Sequence, residues 1–214
     1  MALSSCAIVC LGACDSFTPR EAPPPCDPDD PECQPPPNFS EPLRPDSVRV
    51  NIERAVEGRT VEPNYVRSLA PEPENLPDVF FYLPDPQAEA LFPGFFVGWD
   101  KDSEVQFMLN LLVTSGDSLQ AVEMSFPRFE VDPDFTPTTN EARYDVDYEL
   151  SLTYVRGDPP EERVDFYAGR AKWDFIGGDT NFWTLLRWED IGLPPSSSGT
   201  PKGTMGTLRG FVGP

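Results

Sequence analysis

Between Glu141 and Ile191 apolar and polar residues alternate so persistently that few folds are open to the segment. Tyr144, Val146, Tyr148, Leu150, Leu152 and Tyr154 are apolar, while Asp145, Asp147, Glu149, Ser151 and Thr153 between them are polar. A period of two places the first set on one face of an extended strand and the second on the other. After the turn cluster Gly157-Asp158-Pro159-Pro160, a second run keeps Val164, Phe166 and Ala168 in phase and then shifts, past Gly169, to Ala171, Trp173 and Phe175. A slip of one residue at a glycine predicts a β-bulge there. Gly177-Gly178-Asp179 predicts a tight turn into Asn181 to Ile191, where Phe182, Trp183, Leu185, Leu186 and Trp188 are dense enough for a strand buried on both faces. The expected product is a bent antiparallel meander with one concave, partly aromatic face.

The residues before the meander read as its cover. Asp46 or Ser47 is placed to cap a helix running to Glu57, with Val48, Ile52, Ala55 and Val56 at helical spacing and Gly58 as the stop. A second short helix is expected over Pro63 to Leu69, and a strand over Val79 to Leu83, fenced by Pro77 and Pro84. Gln87 to Leu91 is expected to make a helical turn. Asp100 or Asp102 caps the strongest helix, in which Val105, Met108, Leu109 and Leu112 form one face, Phe107 and Leu111 widen it, and Glu104 lies near the positive end. Leu119 to Phe129 is the next strand. Thr204 to Val212 reads as a short helix or turn covering one edge of the sheet.

Composition removes whole classes of function. With 36 acidic against 16 basic residues, the formal charge of −20 repels a phosphate backbone, so nucleic acid is not an expected partner. Histidine is absent, which rules out His-ligated zinc, a Ser-His-Asp triad and a His-Asp base. All five cysteines precede residue 34, so none is a thiol of the folded part. No cofactor or metal is expected.

The front of the chain reads as a tether. Residues 1–13 are apolar and uncharged and end in Leu11-Gly12-Ala13-Cys14, similar to the lipobox of bacterial lipoproteins, which implies a signal peptide over 1–13 and lipidation of Cys14. Residues 14–45 are proline-rich and acidic, with triplets at 23–25 and 35–37, and are expected to be a disordered, extended spacer. Cys26 and Cys33 bracket a short acidic loop that an oxidising compartment would close as a disulfide. That loop lacks the spaced ligands and turn glycine of a calcium site. The protein is therefore expected in the bacterial cell envelope, held on the membrane by its lipid and facing the periplasm or exterior, with residues 46–214 as the folded domain.

The order helix, short helix, strand, helix and antiparallel meander, with Asn51-Ile52-Glu53-Arg54-Ala55 through Leu69, Trp99 before the capped helix, Trp183 through Asp190, and Thr204-Met205-Gly206-Thr207-Leu208, resembles the nuclear transport factor 2-like superfamily. The resemblance covers about Asp46 to Val212. It implies an α+β fold: a curved antiparallel sheet wrapped with N-terminal helices into a cone. The superfamily includes isomerases, dehydratases, polyketide cyclases, ligand binders and docking domains, so fold does not choose between them. Its cyclases and dehydratases commonly use a His-Asp pair inside the cone, absent here. Its ketosteroid isomerases use a tyrosine on the first helix, a position that falls at Asn51, and a base on the strand that here spans Val79 to Leu83 and has no carboxylate.

Within a cone, Tyr82, Trp99, Tyr148, Trp173 and Trp188 are the candidates to line a site for a small apolar ligand, with core packing as the alternative use of each. Glu189 and Asp190 are candidate buried carboxylates, with exposure at the strand end as the alternative. Arg187 is expected to pair with an acid across the sheet, and Asp145, Asp147 and Glu149 to solubilise the outer face. Three functions remain open. The first is a lipid-anchored binder of a small apolar molecule or a partner. The second is a carboxylate enzyme, for which one acid must lie inside the cone with few neutralising partners. The third is a docking module that forms a homodimer through an apolar outer sheet face.

Overall fold

The protein is described here from a computed structural model covering residues 39–70, 80–114, 118–157, 159–177, 182–193 and 199–214. Cys14, Cys26 and Cys33, Val79, the Gly178-Asp179 part of the predicted turn and Pro194 to Ser198 lie outside these residues. In chain order the elements are α1 (Pro45–Glu57), a π-helical turn Val61–Tyr65 running into α2 (Val66–Ser68), β1 (Phe81–Leu83), α3 (Pro86–Leu91), α4 (Lys101–Leu109) extended by a π-helical turn Asn110–Thr114, β2 (Leu119–Val131), β3 (Glu141–Arg156), β4 (Glu161–Gly177), β5 (Trp183–Gly192) and α5 (Met205–Val212). The five strands form one sheet in the order β1-β5-β4-β3-β2. The meander is antiparallel, and β1 adds to β5 in parallel with Tyr82 opposite Trp188.

The period-two reading of β3 holds: Val146, Tyr148, Leu150 and Leu152 are buried on the inner face and the acids between them are half-covered outside. The bulge expected at Gly169 is not there. β3 and β4 pair without interruption from Glu141 opposite Ile176 to Arg156 opposite Glu161. The register shifts lie instead against β5, between Arg170 and Ala171 and between Asp174 and Phe175, where Ile191 and Leu186 are the extra residues on β5. Each extra residue bends the strand and changes which positions face inward. This also corrects the doubly buried strand: in β5 only Leu185, Trp188 and Asp190 are buried, while Phe182 is exposed and Trp183 and Leu186 are half-buried.

The apparent phase change in β4 has a different cause. Val164 is exposed, while Ala168 is covered where Lys202 and Gly203 take over from β5 along the β4 edge, Lys202 N–H donating to Phe166 O and Ala168 N–H to Gly203 O. The inner set is Tyr167, Ala171, Trp173 and Phe175. Gly169 serves close packing: it sits opposite Tyr148, and a Cβ there would lie 2.1 Å from the Tyr148 hydroxyl.

The helices close the inner face. α1 buries Val48, Ile52, Ala55 and Val56 as its spacing predicts, but Pro45 opens it behind Arg44, so neither Asp46 nor Ser47 is the cap. Gly58 keeps a right-handed φ of −78°, and Arg59 takes the left-handed conformation at φ 54°. Asn51 holds the preceding chain through both the N–H and the carbonyl of Ser40. In α4 Asp100 is the cap, accepting from Ser103 N–H at 3.0 Å. Its buried side is Glu104, Phe107 and Met108, continued by Leu111 and Leu112, so the stripe is turned toward Glu104 and Val105 and Leu109 are only half-buried. α5 corrects the last expectation: it does not cover a sheet edge but enters the cone, burying Met205, Leu208 and Arg209. Among the described residues no helix is long and apolar enough to cross a membrane.

The outer sheet face carries a lattice of charge pairs. Arg143 and Arg187 both reach Asp174, Arg170 reaches Asp147, Arg128 reaches Asp145, and Lys172 reaches Asp132 at 2.6 Å. Arg187 thus has the cross-strand partner expected of it, and the face has cross-strand charges where a docking sheet would carry apolar side chains.

Candidate functional site

Asp190, near the C-terminal end of β5, is buried with all its carboxylate capacity directed at neutral donors. Its Oδ1 accepts from Trp188 Nε1–H at 2.7 Å and from the Tyr148 hydroxyl at 3.0 Å. Its Oδ2 accepts from the Tyr82 hydroxyl at 2.8 Å and from Gly206 N–H at 3.0 Å. The Tyr148 hydroxyl in turn accepts from Met205 N–H, so the first turn of α5 is docked onto this cluster. A Cβ on Gly206 would lie 2.5 Å from the Tyr82 hydroxyl, which is why the helix approaches so closely only with glycine there. Burial raises the Asp190 carboxyl above its usual range, opposed by the nearby Arg209 charge and by the indole and phenol donors. Burial and the Asp190 charge likewise push the Tyr82 and Tyr148 phenols well above their ordinary value.

A second carboxylate, Glu104, faces the same interior from α4. Arg209 of α5 binds it through both arms, Nε to Oε2 at 2.8 Å and Nη2 to Oε1 at 2.6 Å. The Tyr65 hydroxyl and Trp99 Nε1–H complete its shell at 2.7 and 2.9 Å. The guanidinium lies 4.0 Å from the Tyr82 ring centroid and 4.6 Å from that of Trp188, so rings cover its faces. The net effect of the Glu104 charge and hydrogen bonds, against the burial that would lower it, is an arginine held firmly protonated.

The structure brings all five predicted aromatics inside. Tyr82, Tyr148 and Trp188 bind Asp190, Trp99 binds Glu104, and Trp173 packs against Trp188 and Phe126 with its indole N–H unpartnered. Asp190 is the buried carboxylate. Glu189 is not: the pleat turns it to the outer face, where it meets Arg187 at 3.4 Å. Glu104 and Arg209 were missed as interior groups because a charge in a first turn reads as a dipole partner and a lone arginine near a terminus reads as surface. A signal existed. Glu104 stands three and four residues before Phe107 and Met108, on their face, and Arg209 interrupts the otherwise apolar Met205, Leu208, Phe211 and Val212. Among the described residues no group of three or more metal-ligating side chains is placed to hold an ion.

With the interior occupied by α5, an open apolar space among the described residues lies at the rim. A cleft of about 570 Å³ lies beside β1, bounded by Phe81, Leu83, Tyr82, Phe96, Val97 and Trp99, with Glu89 and Asp100 also in its wall. Tyr82 and Trp99 therefore face two ways: their polar atoms bind the interior carboxylates while they contribute to the cleft. Ring contacts between Tyr82, Phe96 and Trp99, 5.6 to 6.1 Å between centroids, hold this wall together. Asp85 caps α3 through Gln87 and Ala88 N–H and receives the Thr204 hydroxyl at 2.5 Å, tying the start of α3, next to the cleft residue Pro84, to the start of α5.

No protein-family model and no curated protein matches the sequence. Solved structures do share the fold. A candidate scytalone dehydratase from Novosphingobium aromaticivorans superposes with a TM-score of 0.51 at 10% identity, over 74% of this chain and 87% of its own. A candidate dehydratase of the nuclear transport factor 2-like family from Streptomyces avermitilis gives 0.49 at 12% identity, over 70% and 93%. A nuclear transport factor 2-like superfamily protein from Salmonella enterica gives 0.42 at 13% identity, over 71% and 90%. In fold, the chain is similar to these nuclear transport factor 2-like structures: an α+β cone of one mixed five-stranded sheet and its covering helices.

Proposed function

We propose that this is a lipid-anchored protein of the bacterial envelope whose domain binds a small apolar molecule without transforming it, and that the ligand enters the cleft beside β1 and not the interior of the cone. The observation that carries this is the contrast between the two spaces. Every oxygen of Asp190 and Glu104 already accepts hydrogen bonds, and Arg209 and α5 fill the centre. A carboxylate with four donors has no lone pair left to remove a substrate proton. The cleft is apolar, open, and of a size that suits a small ligand. The dehydratase chemistry named for the Novosphingobium structure is not carried over, since the chain has no histidine to supply a His-Asp pair.

Titration of the full chain with dodecanol, followed by calorimetry, is expected to saturate at one site. Val97→Arg should abolish it, because Val97 borders the cleft and is 85% exposed, so the change costs little in folding. Heat that never saturates, or that survives the substitution, refutes the reading. The anchor rests on the Leu11 to Cys14 pattern and the proline-rich spacer behind it. Labelling with an alkyne fatty acid in a bacterial host should mark the protein and fail with Cys14→Ser, and label on that variant would refute lipidation.

A further inference from the structure

The chemistry of the cleft wall narrows the ligand further. Phe81, Tyr82, Phe96 and Trp99 give it aromatic rings, and among the described residues its charged groups are the carboxylates Glu89 and Asp100, with neither lysine nor arginine lining it. Aromatic faces present negative quadrupole density and attract a cation that sheds water easily, which is how alkylammonium groups are recognised. A carboxylate at the rim adds to that attraction and repels an anionic head. Of the nearby guanidiniums, Arg209 behind Tyr82 is fully buried and matched by Glu104, and Arg187, opposite Phe81 on β5, is paired with Asp174 and Glu189, so neither reverses the sign. Asp100 stays ionised because the Ser103 N–H it accepts lowers its pKa.

We propose that the cleft is a site for an amphiphile with an alkyl chain and a quaternary ammonium head, the chain lying along Leu83 and Val97 and the head held by the aromatic wall near Glu89 and Asp100. This rests on the cleft being the binding site. It selects among ligands that the cleft reading alone admits equally: neutral, cationic and anionic.

The test is calorimetric titration of the full chain with dodecyltrimethylammonium, dodecanol and dodecanoate, each kept below the concentration at which it aggregates. The cation is expected to bind at least about tenfold more tightly than dodecanol, and dodecanoate most weakly. Since the whole chain is strongly acidic, local and global charge are separated by two substitutions of equal charge change. Glu89→Gln, in the wall, should weaken the cation roughly threefold and leave dodecanol unchanged, while Glu161→Gln, exposed at the far end of β4, should change neither. Equal affinity for all three heads, or an equal loss in both variants, overturns the ammonium assignment while leaving the cleft as a site. Absence of saturable binding by any of the three overturns the cleft reading itself and this proposal with it.

Discussion

Raising the pH above the ordinary tyrosine range should unfold this protein with a steepness set by its buried phenols. Tyr65, Tyr82 and Tyr148 are each buried, each donates to an interior carboxylate, and burial followed by the neighbouring negative charge raises each well above its usual pKa of 10.0. A raised folded pKa means that above about pH 10 the native state keeps protons that the unfolded chain has lost, so stability is intact below that pH and falls as pH rises. Each phenol contributes about 1.4 kcal/mol per pH unit, and the three together about 4 kcal/mol per unit. Against a total of roughly 5–15 kcal/mol for a domain of this size, unfolding follows within a few pH units. Urea unfolding by circular dichroism, repeated from about pH 9 to about pH 11.5, measures the slope, and tyrosinate absorbance shows when the phenols ionise. Lysine, arginine, the half-buried Tyr144 and Tyr154 and the buried Tyr167 add to the wild-type slope but cancel in comparison with single Tyr→Phe variants. Each of Tyr65→Phe, Tyr82→Phe and Tyr148→Phe should reduce it by about 1.4 kcal/mol per unit, whatever it does to stability at neutral pH. Three phenols ionising near pH 10 with the dichroism unchanged, or variants with the wild-type slope, would refute the claim that these groups sit in a closed interior.

Two substitutions probe the same interior at neutral pH. Arg209→Met leaves Glu104 buried without its counter-charge and should cost about 3–5 kcal/mol in urea unfolding, whereas Glu104→Gln combined with Arg209→Met removes the orphaned charge, keeps a carbonyl oxygen for the Trp99 N–H and turns an amide N–H toward the Tyr65 hydroxyl, which can accept it, so the double variant should be the more stable of the two. Gly169→Ala should lower stability by about 2 kcal/mol or more through its clash with Tyr148, and Tyr148→Phe should not rescue it, because a ring carbon of Tyr148 remains 2.3 Å from the new methyl group; a fully restored thermal midpoint would contradict this.

The parts of the fold legible in the sequence were those in which side chains obey a single period. The inner residues of β3, the apolar face of α1 and the Asp100 cap each follow from local spacing and elementary propensity. What was not legible depended on two elements at once. The extra residues Leu186 and Ile191 are defined only by pairing with β4, so in the sequence alone the apolar density of β5 reads as burial on two faces. Gly169 looks like a bulge in one dimension and proves to be a space for a ring across the sheet. Asp190 and Glu189 are adjacent acids that alternation alone sends to opposite faces. Trp188, two residues before Asp190, was the available sign that Asp190 is the inward one. Glu104 and Arg209 are 105 positions apart, and neither makes sense in the core without the other.

α5 is what turns a hollow cone into a solid one, and its removal tests that directly. Met205 and Gly206 N–H dock on Tyr148 and Asp190, Arg209 neutralises Glu104, and Met205 and Leu208 are buried against the sheet and α3. A chain ending at Gly203 loses the counter-charge of a buried carboxylate, about 3–5 kcal/mol, and two buried apolar side chains at about 1.5–3 kcal/mol each. Together these losses, roughly 6–11 kcal/mol, are comparable to the whole stability of an ordinary domain. The truncated chain should therefore lose near-ultraviolet dichroism while keeping part of its strand signal. If it instead unfolds at the wild-type urea midpoint, α5 is a dispensable plug, the cone beneath it is a stable cavity, and the argument that binding belongs to the rim fails. Should the fold collapse as expected, the helix is part of the core, and a ligand cannot enter the centre without first displacing a paired arginine; that cost keeps recognition at the outer wall, where Tyr82 and Trp99 are already held in place by the carboxylates behind them.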